Sequence, residues 1–198
     1  LSDRRAKFLL AGRLTRIKGH LTIIEAAAKL KAQGRDDFLV IFAGDDQGRT
    51  DYGEELAKAI AEAGLTDIVR IVGHCDDMPA AYLLADVAIL PTTVPESFGR
   101  AAVEPQAMGR PVIASNHGGT TETVSDGVSG WLVAPGDADA WALATSRAID
   151  LGPGKRGEMG QVGMNRTHQL YRVDAMCAAT LAAYERVLEA HRTGEGAR

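Results

Sequence analysis

What this sequence lacks narrows its function before any motif does. Aromatic residues make up only 5% of it, too few for the stacking platforms of a single-strand nucleic-acid binder. Positive charge is not in excess: the formal net charge is −4, so no basic field steers a polyanion and a nucleic-acid partner is not expected. There are two cysteines, Cys75 and Cys177, with no C-x-x-C pair and no metal-site spacing. They read as buried thiols of a reducing compartment rather than a disulfide. No apolar run approaches the ~20 residues that span a bilayer. No secretory signal pattern stands at the start, so a cytoplasmic location is expected. G-x-S-x-G, a Walker lysine and H-E-x-x-H are all missing. The first residue is Leu1, not Met, and a strand-like run begins by Lys7. A domain cut from a longer protein is the expectation.

What is present suits one α/β domain. The 198 residues, 45% hydrophobic and 24% charged, suffice for a proper core. Apolar runs alternate with helical patterns. Strands are expected over Lys7 to Ala11, Phe38 to Ala43, Ile68 to Val72, Asp86 to Leu90, Pro111 to Ser115 and Gly130 to Ala134. Between them fall helices at Gly19 to Gln33, Tyr52 to Ala63 and Met78 to Leu84, one after Gly99, and a short one after Gly119. From Asp137 onward, itself a good N-cap, the chain reads as helical only. Its last helix runs from about Val173 to Ala190, with Cys177, Leu181, Tyr184 and Leu188 along one side. Continuous apolar strands alternating with helices mean a Rossmann-like parallel sheet of about six strands covered on both faces. The expected organisation is a core at about 7–150, a helical segment at about 151–191 and a disordered tail at 192–198.

In such a sheet the ligand sits outside the carboxyl ends of the strands, so the strand-to-helix loops carry the argument. The stretch from Val94 to Glu104 is the most informative. Two carboxylates, Glu96 and Glu104, sit eight positions apart with Ser97, Phe98 and Gly99 between them. A helix starting near Gly99 points free N–H groups and its positive dipole end into the loop, which suits a phosphate. At about 1.5 Å per residue, Glu104 lies roughly 7 Å along that helix, near the reach from a diphosphate to its ribose. Glu96 lies on the other side. The order of groups then matches a nucleotide sugar: sugar, diphosphate, ribose. The plainer reading is one exposed loop carboxylate and one solvated helix carboxylate.

The first loop, Gly12 to Gly19, places Arg13 and Lys18 at the same sheet edge, an Arg fork and a Lys point charge of the kind that hold phosphate, or else a basic solvated turn. Gly44-Asp45-Asp46 serves as a turn. His74 in the third loop lies where a base could rest, or is merely exposed. Gly118-Gly119 either lines the sugar side or makes a tight turn. Two further patterns fail their context. Gly152-Pro153-Gly154-Lys155-Arg156-Gly157 fits G-x-G-x-x-G but follows no strand. Asn165-Arg166-Thr167 is a glycosylation sequon without a secretory route.

The set Gly12-Arg13-Leu14, Lys18-Gly19, Gly44-Asp45, Pro95-Glu96-Ser97-Phe98-Gly99, Glu104, Ala107 to Ala114 and Gly118-Gly119 resembles the group 1 glycosyltransferases. These are retaining, nucleotide-sugar-dependent enzymes of the GT-B fold, and Glu96 and Glu104 match their E-x7-E motif. The resemblance runs from about Phe8 to Ala148 and points to the C-terminal, donor-binding half. It implies a metal-independent hexosyl transfer from a nucleoside-diphosphate sugar, which is a substrate and not a cofactor, to a glycan, lipid-linked or small acceptor. It implies that Arg13 and Lys18 neutralise the leaving diphosphate. Glu96 would bind the transferred sugar, Glu104 the ribose, and the amides from Phe98 through Arg100 to Ala101 the phosphate, with Gly12, Ser97 and His74 around the nucleotide. The partner it implies is an N-terminal acceptor domain, which resembles nothing in this chain, and any peripheral membrane contact would come through that domain.

Two residues depart from the family pattern. Arg100 stands where an aliphatic residue is frequent, and Pro105 follows Glu104 where a small helix former is usual. Pro105 requires either a helix start nearer Ala102 or a kink. Three other functions remain. A nucleotide-sugar epimerase would carry more acid/base groups near the sugar carbons, and a phosphorylase a lysine for pyridoxal phosphate. A non-catalytic nucleotide-binding or interaction module would be indifferent to Glu96.

Overall fold

A computed structural model describes residues 3–46, 48 and 50–193. Six strands, β1 (Ala6–Ala11), β2 (Phe38–Ala43), β3 (Val69–Gly73), β4 (Val87–Leu90), β5 (Val112–Ser115) and β6 (Gly130–Val133), form one sheet in the order β3-β2-β1-β4-β5-β6. Every pairing is parallel. The helices are α1 (His20–Ala32), α2 (Thr50–Glu62), α3 (Met78–Leu84), α4 (Arg100–Ala107), α5 (Thr120–Thr123), α6 (Ala138–Asp150), α7 (Gly152–Leu170) and α8 (Val173–Thr193).

The strand order follows from which residues face where. In β1, Phe8 and Leu10 join Phe38, Val40 and Phe42 of β2 in a core beneath α1, α2 and α6, where Ile23, Leu30, Leu56 and Trp141 are buried. Leu9 turns to the other face, with Tyr82 and Ala85 at the α3 end. Further along that face Ala88, Leu90, Ala102, Val112 and Val124 close the layer under α4. With both faces covered, the inner strands need no polar side, which is why each reads as an unbroken apolar run.

The chain grows outward from β1 through β2 to β3, then returns to place β4 on the other side of β1, with Phe8 opposite Val87. The order therefore reverses between β1 and β4, and a crevice opens at their carboxyl ends. The loops around it are laced together. Gly12 N–H donates to the Ala43 carbonyl (2.9 Å), Leu14 N–H to Asp45 (2.8 Å) and Thr93 N–H to Ile17 (2.9 Å). Gly19, at φ 73°, caps α1 against the Pro91 carbonyl so closely that a Cβ there would overlap it.

Three expectations are revised. Cys75 is only partly buried and Cys177 is exposed on α8, because α8 leaves its apolar residues, Leu181, Tyr184 and Leu188 among them, more than half exposed. The last helix continues through Thr193, past the expected start of the tail; residues 194–198 of that tail lie outside the described residues. Around Pro105 the helix start is not displaced: α4 begins at Arg100 with Gly99 as its N-cap, and Pro105 sits buried inside it. A proline there donates nothing back to Ala101. The next residue helps hold the turn, since the Gln106 amide donates to the Ala102 and Thr123 carbonyls at 2.9 Å each. Gly152 to Gly157 form the first turns of α7, directly after α6. No described helix is long and apolar enough to cross a membrane.

Candidate functional site

The loops after β1 and β4 meet at the crevice. Lys18, at the end of a 3-10 turn (Arg16–Lys18), reaches across and donates from Nζ to Glu96 Oε1 at 2.5 Å. The two side chains are largely withdrawn from solvent, 17% and 27% exposed, so the pair lies on a dielectric boundary where it is stronger than a surface bridge. Glu96 is held in place from behind. Its carbonyl accepts from Gly119 N–H at 2.7 Å, and Gly118 pairs with it in a single parallel bridge. A Cβ on Gly118 would come within 2.6 Å of the Glu96 carbonyl, and one on Gly119 within 2.6 Å of the Ser97 carbonyl. The Gly118-Gly119 pair therefore braces the loop by close backbone approach.

Beyond Ser97 and Phe98 the chain turns through Gly99, at φ 79°, into α4. The first amides of a helix have no intrahelical acceptor, and those of α4 open on the crevice side, where Arg100 and Ala101 line the cavity. One turn on, Glu104 accepts from Arg100 Nη2 at 2.7 Å and Nε at 3.0 Å, both on Oε1. The Tyr82 hydroxyl donates to Oε2 at 3.4 Å. Burial, with the Glu104 carboxylate beside it, pushes the Tyr82 phenol well above its usual range, so it stays a donor.

These groups share one cavity of about 380 Å³ lined by Ala11, Gly12, Arg13, Lys18, Met78, Tyr82, Glu96, Arg100, Ala101 and Glu104. A second cavity, of about 290 Å³, adjoins it through Gly12, Arg13 and Met78 and holds His74, Asp45 and Cys75. His74 Nε2 lies 3.0 Å from Asp76 Oδ1. So the structure brings Gly12, Arg13, Lys18, Glu96, Arg100 and Glu104 together and sets His74 next door. Ser97 and Phe98 stand apart from both. Ser97 is exposed, and the Phe98 ring meets Tyr171 edge-on at 5.4 Å.

Met78 and Tyr82 escaped sequence reasoning. Their spacing, one turn apart on α3, was the available signal, yet it looks like any helix facing a core. The Phe98–Tyr171 contact had no sequence signal at all.

A carboxylate–lysine pair, a helix N-terminus and a second carboxylate around one crevice suit an anion flanked by two hydroxyl-bearing groups. Residues 1–166 match the family described as Glycosyl transferases group 1. The chain belongs to the group 1 glycosyltransferases. A D-inositol 3-phosphate glycosyltransferase of Arthrobacter sp. (strain FB24) is 32% identical over 195 residues, covering 95% of this chain and 45% of that protein. The crystal structure of Anabaena Alr3699/HepE in complex with UDP and glucose superposes with a TM-score of 0.82 at 30% identity, covering 90% of this chain and 48% of that one. The crystallised C-terminal domain of a group 1 glycosyltransferase (LpcC) from Francisella tularensis gives a TM-score of 0.75 at 26% identity, covering 85% of this chain and 87% of that domain. This glycosyltransferase chain spans about half the length of the curated relatives it matches. Its sheet, flanking helices and C-terminal helices form one Rossmann-like half of a GT-B fold.

Proposed function

We propose that this chain is the donor-binding domain of a retaining glycosyltransferase, which moves a hexosyl group from a nucleoside diphosphate to a glycan, lipid-linked or small acceptor. The observation that carries this is the convergence of Lys18, Glu96, the α4 N-terminus and Glu104 on one cavity at the β1/β4 reversal. The diphosphate lies against the α4 amides, between Glu96 on the sugar side and Glu104 on the ribose side. The base lies toward His74. As the bond from the sugar to the diphosphate breaks, negative charge accumulates on the leaving oxygen. Arg13 and Lys18 stabilise that charge more than they stabilise the intact donor, which lowers the barrier. Glu96 accepts sugar hydroxyls while its pairing with Lys18 keeps the cation aimed at the phosphate. The UDP in the Anabaena relative's structure supports a uridine nucleotide as the first donor to try. Residues 1–198 act as one nucleotide-sugar-binding unit, and the acceptor comes on the other half of the full-length protein.

The test is thermal shift and calorimetry with UDP, GDP, ADP and their sugars, on wild type and Glu104→Ala. A ligand at 100 times its dissociation constant stabilises a fold by about 2.7 kcal/mol. Binding of one nucleotide, lost in Glu104→Ala, supports the reading. If nothing binds to a folded protein, the donor-site assignment fails for this chain.

A further inference from the structure

Arg100 occupies the carboxylate that the proposed ribose must use. Both of its contacts, from Nε at 3.0 Å and Nη2 at 2.7 Å, fall on Glu104 Oε1, and the Tyr82 hydroxyl takes Oε2. A ribose diol that engages both carboxylate oxygens meets the Arg100 donors on Oε1 and must displace them. Tyr82 is buried and fixed. Arg100 is not: its side chain is 83% exposed, and an exposed i,i+4 pair of this kind contributes only a few tenths of a kcal/mol.

The placement of Arg100 is unfavourable for the helix itself. It stands at the first position of α4, and no acidic residue lies in that turn. A cation there opposes the positive end of the helix dipole. An anion seated on the same N-terminus removes that conflict and offers the guanidinium a better partner than the exposed carboxylate. Arg100 lines the same cavity as Lys18 and Glu104, at the N-terminus of α4 where the proposed phosphate lies.

We propose that Arg100 is a ligand-exchanged latch: in the empty site it covers Glu104, and when a nucleoside diphosphate binds it moves to the phosphate and releases Glu104 to the ribose. This rests on the donor-site reading above and adds a specificity to it. A nucleoside without phosphate cannot draw Arg100 away and must compete with it for Glu104. A nucleoside diphosphate supplies the anion that opens its own ribose site. The site therefore discriminates against free nucleosides beyond the phosphate contacts alone.

Calorimetric titration of the whole chain with uridine and UDP, guanosine and GDP, and adenosine and ADP tests this, using wild type, Arg100→Leu and Arg100→Lys. Because Arg100 is exposed, both variants should fold. For the base whose diphosphate binds, Arg100→Leu should tighten the nucleoside about 2-fold and weaken the diphosphate about 10-fold. The preference for diphosphate over nucleoside then shrinks about 20-fold. Arg100→Lys should fall between, since its point charge replaces the fork only in part. An unchanged preference overturns the latch. So does a weakened diphosphate with no gain for the nucleoside, which would make Arg100 a phosphate contact only. If wild type binds no nucleotide at all, the failure lies with the donor-site reading, and the latch falls with it.

Discussion

Lys18 and Glu96 come from loops 78 residues apart and meet at 2.5 Å across the crevice between β1 and β4. Each loop is fixed by glycine contacts that tolerate no side chain, Gly19 on Pro91 and Gly118 on Glu96. The pair therefore holds the first crossover and the fourth in register at the crevice between β1 and β4.

Separate roles for the two partners predict separate losses. Lys18→Met should weaken UDP, or whichever diphosphate binds, by about 10-fold or more, since a charge-assisted hydrogen bond of about 1.5–3 kcal/mol is removed. Glu96→Gln should leave the affinity for the free diphosphate within about 3-fold of wild type and abolish the extra affinity for the diphosphate sugar. Calorimetry with UDP and UDP-glucose reads both. Equal losses of both ligands in Glu96→Gln would remove Glu96 from the sugar.

Two glycines with the same backbone sign separate conformational strain from contact. Gly19 has φ 73° and its would-be Cβ runs into the Pro91 carbonyl, whereas Gly34 has φ 80° and open space. Gly34→Ala should cost about 1 kcal/mol, the strain of a left-handed alanine. Gly19→Ala adds displacement of β4's exit and should cost about 3 kcal/mol or more. Urea unfolding measures both, and similar losses would show that the Gly19–Pro91 approach relaxes freely.

The sheet was legible because burial on both faces forces each inner strand into an apolar run ended by glycine or charge, as in Phe38 to Ala43 before Gly44. The place of Glu104 one turn into α4 was legible because a helix converts sequence spacing from Gly99 into a fixed distance. What joins Glu104 to Tyr82, or Phe98 to Tyr171, was not, since these contacts depend on which face of α3 or α7 meets α4. The cysteines misled for the same reason: a thiol's burial is decided by packing, and α8 offers Cys177 none. Pro105 showed that local propensity yields to tertiary context, as the helix keeps it in a buried interior position.

Stability should depend on pH through His20. It is fully buried, with its ring edge-on to Phe42 at 4.9 Å and Tyr52 at 5.9 Å. Burial, aided by the Lys18 charge, lowers its pKa from 6.5 to about 4. The folded state thus holds His20 neutral where the unfolded chain takes up a proton. Its contribution is full above pH 6.5 and is lost as pH falls toward 4. Between pH 7.5 and 5 this amounts to about 2 kcal/mol. His20→Phe should flatten the wild-type decline in urea stability over that interval by a comparable amount. An identical decline in the variant would assign the acid sensitivity to other groups.

Finally, α8 tests where the fold's stability resides. Val173, Met176, Leu181, Tyr184, Val187 and Leu188 are each between 58% and 73% exposed, so ordering this helix against the sheet contributes little burial. Tyr171, just before it, does hold the body: its hydroxyl donates to the Glu122 carbonyl at 3.0 Å, and Arg166 donates to the same carbonyl at 2.8 Å. Ending the chain after Arg172 should therefore leave Tm within about 3 °C of the intact chain, since roughly 1 kcal/mol corresponds to about 2–4 °C for a domain of this size. Nucleotide affinity should be unchanged. Ending it after Leu170 removes the Tyr171 hydroxyl and the ring beneath Phe98, and should lower both Tm and affinity. Equal effects from the two truncations would move the contribution from Tyr171 to α8 itself.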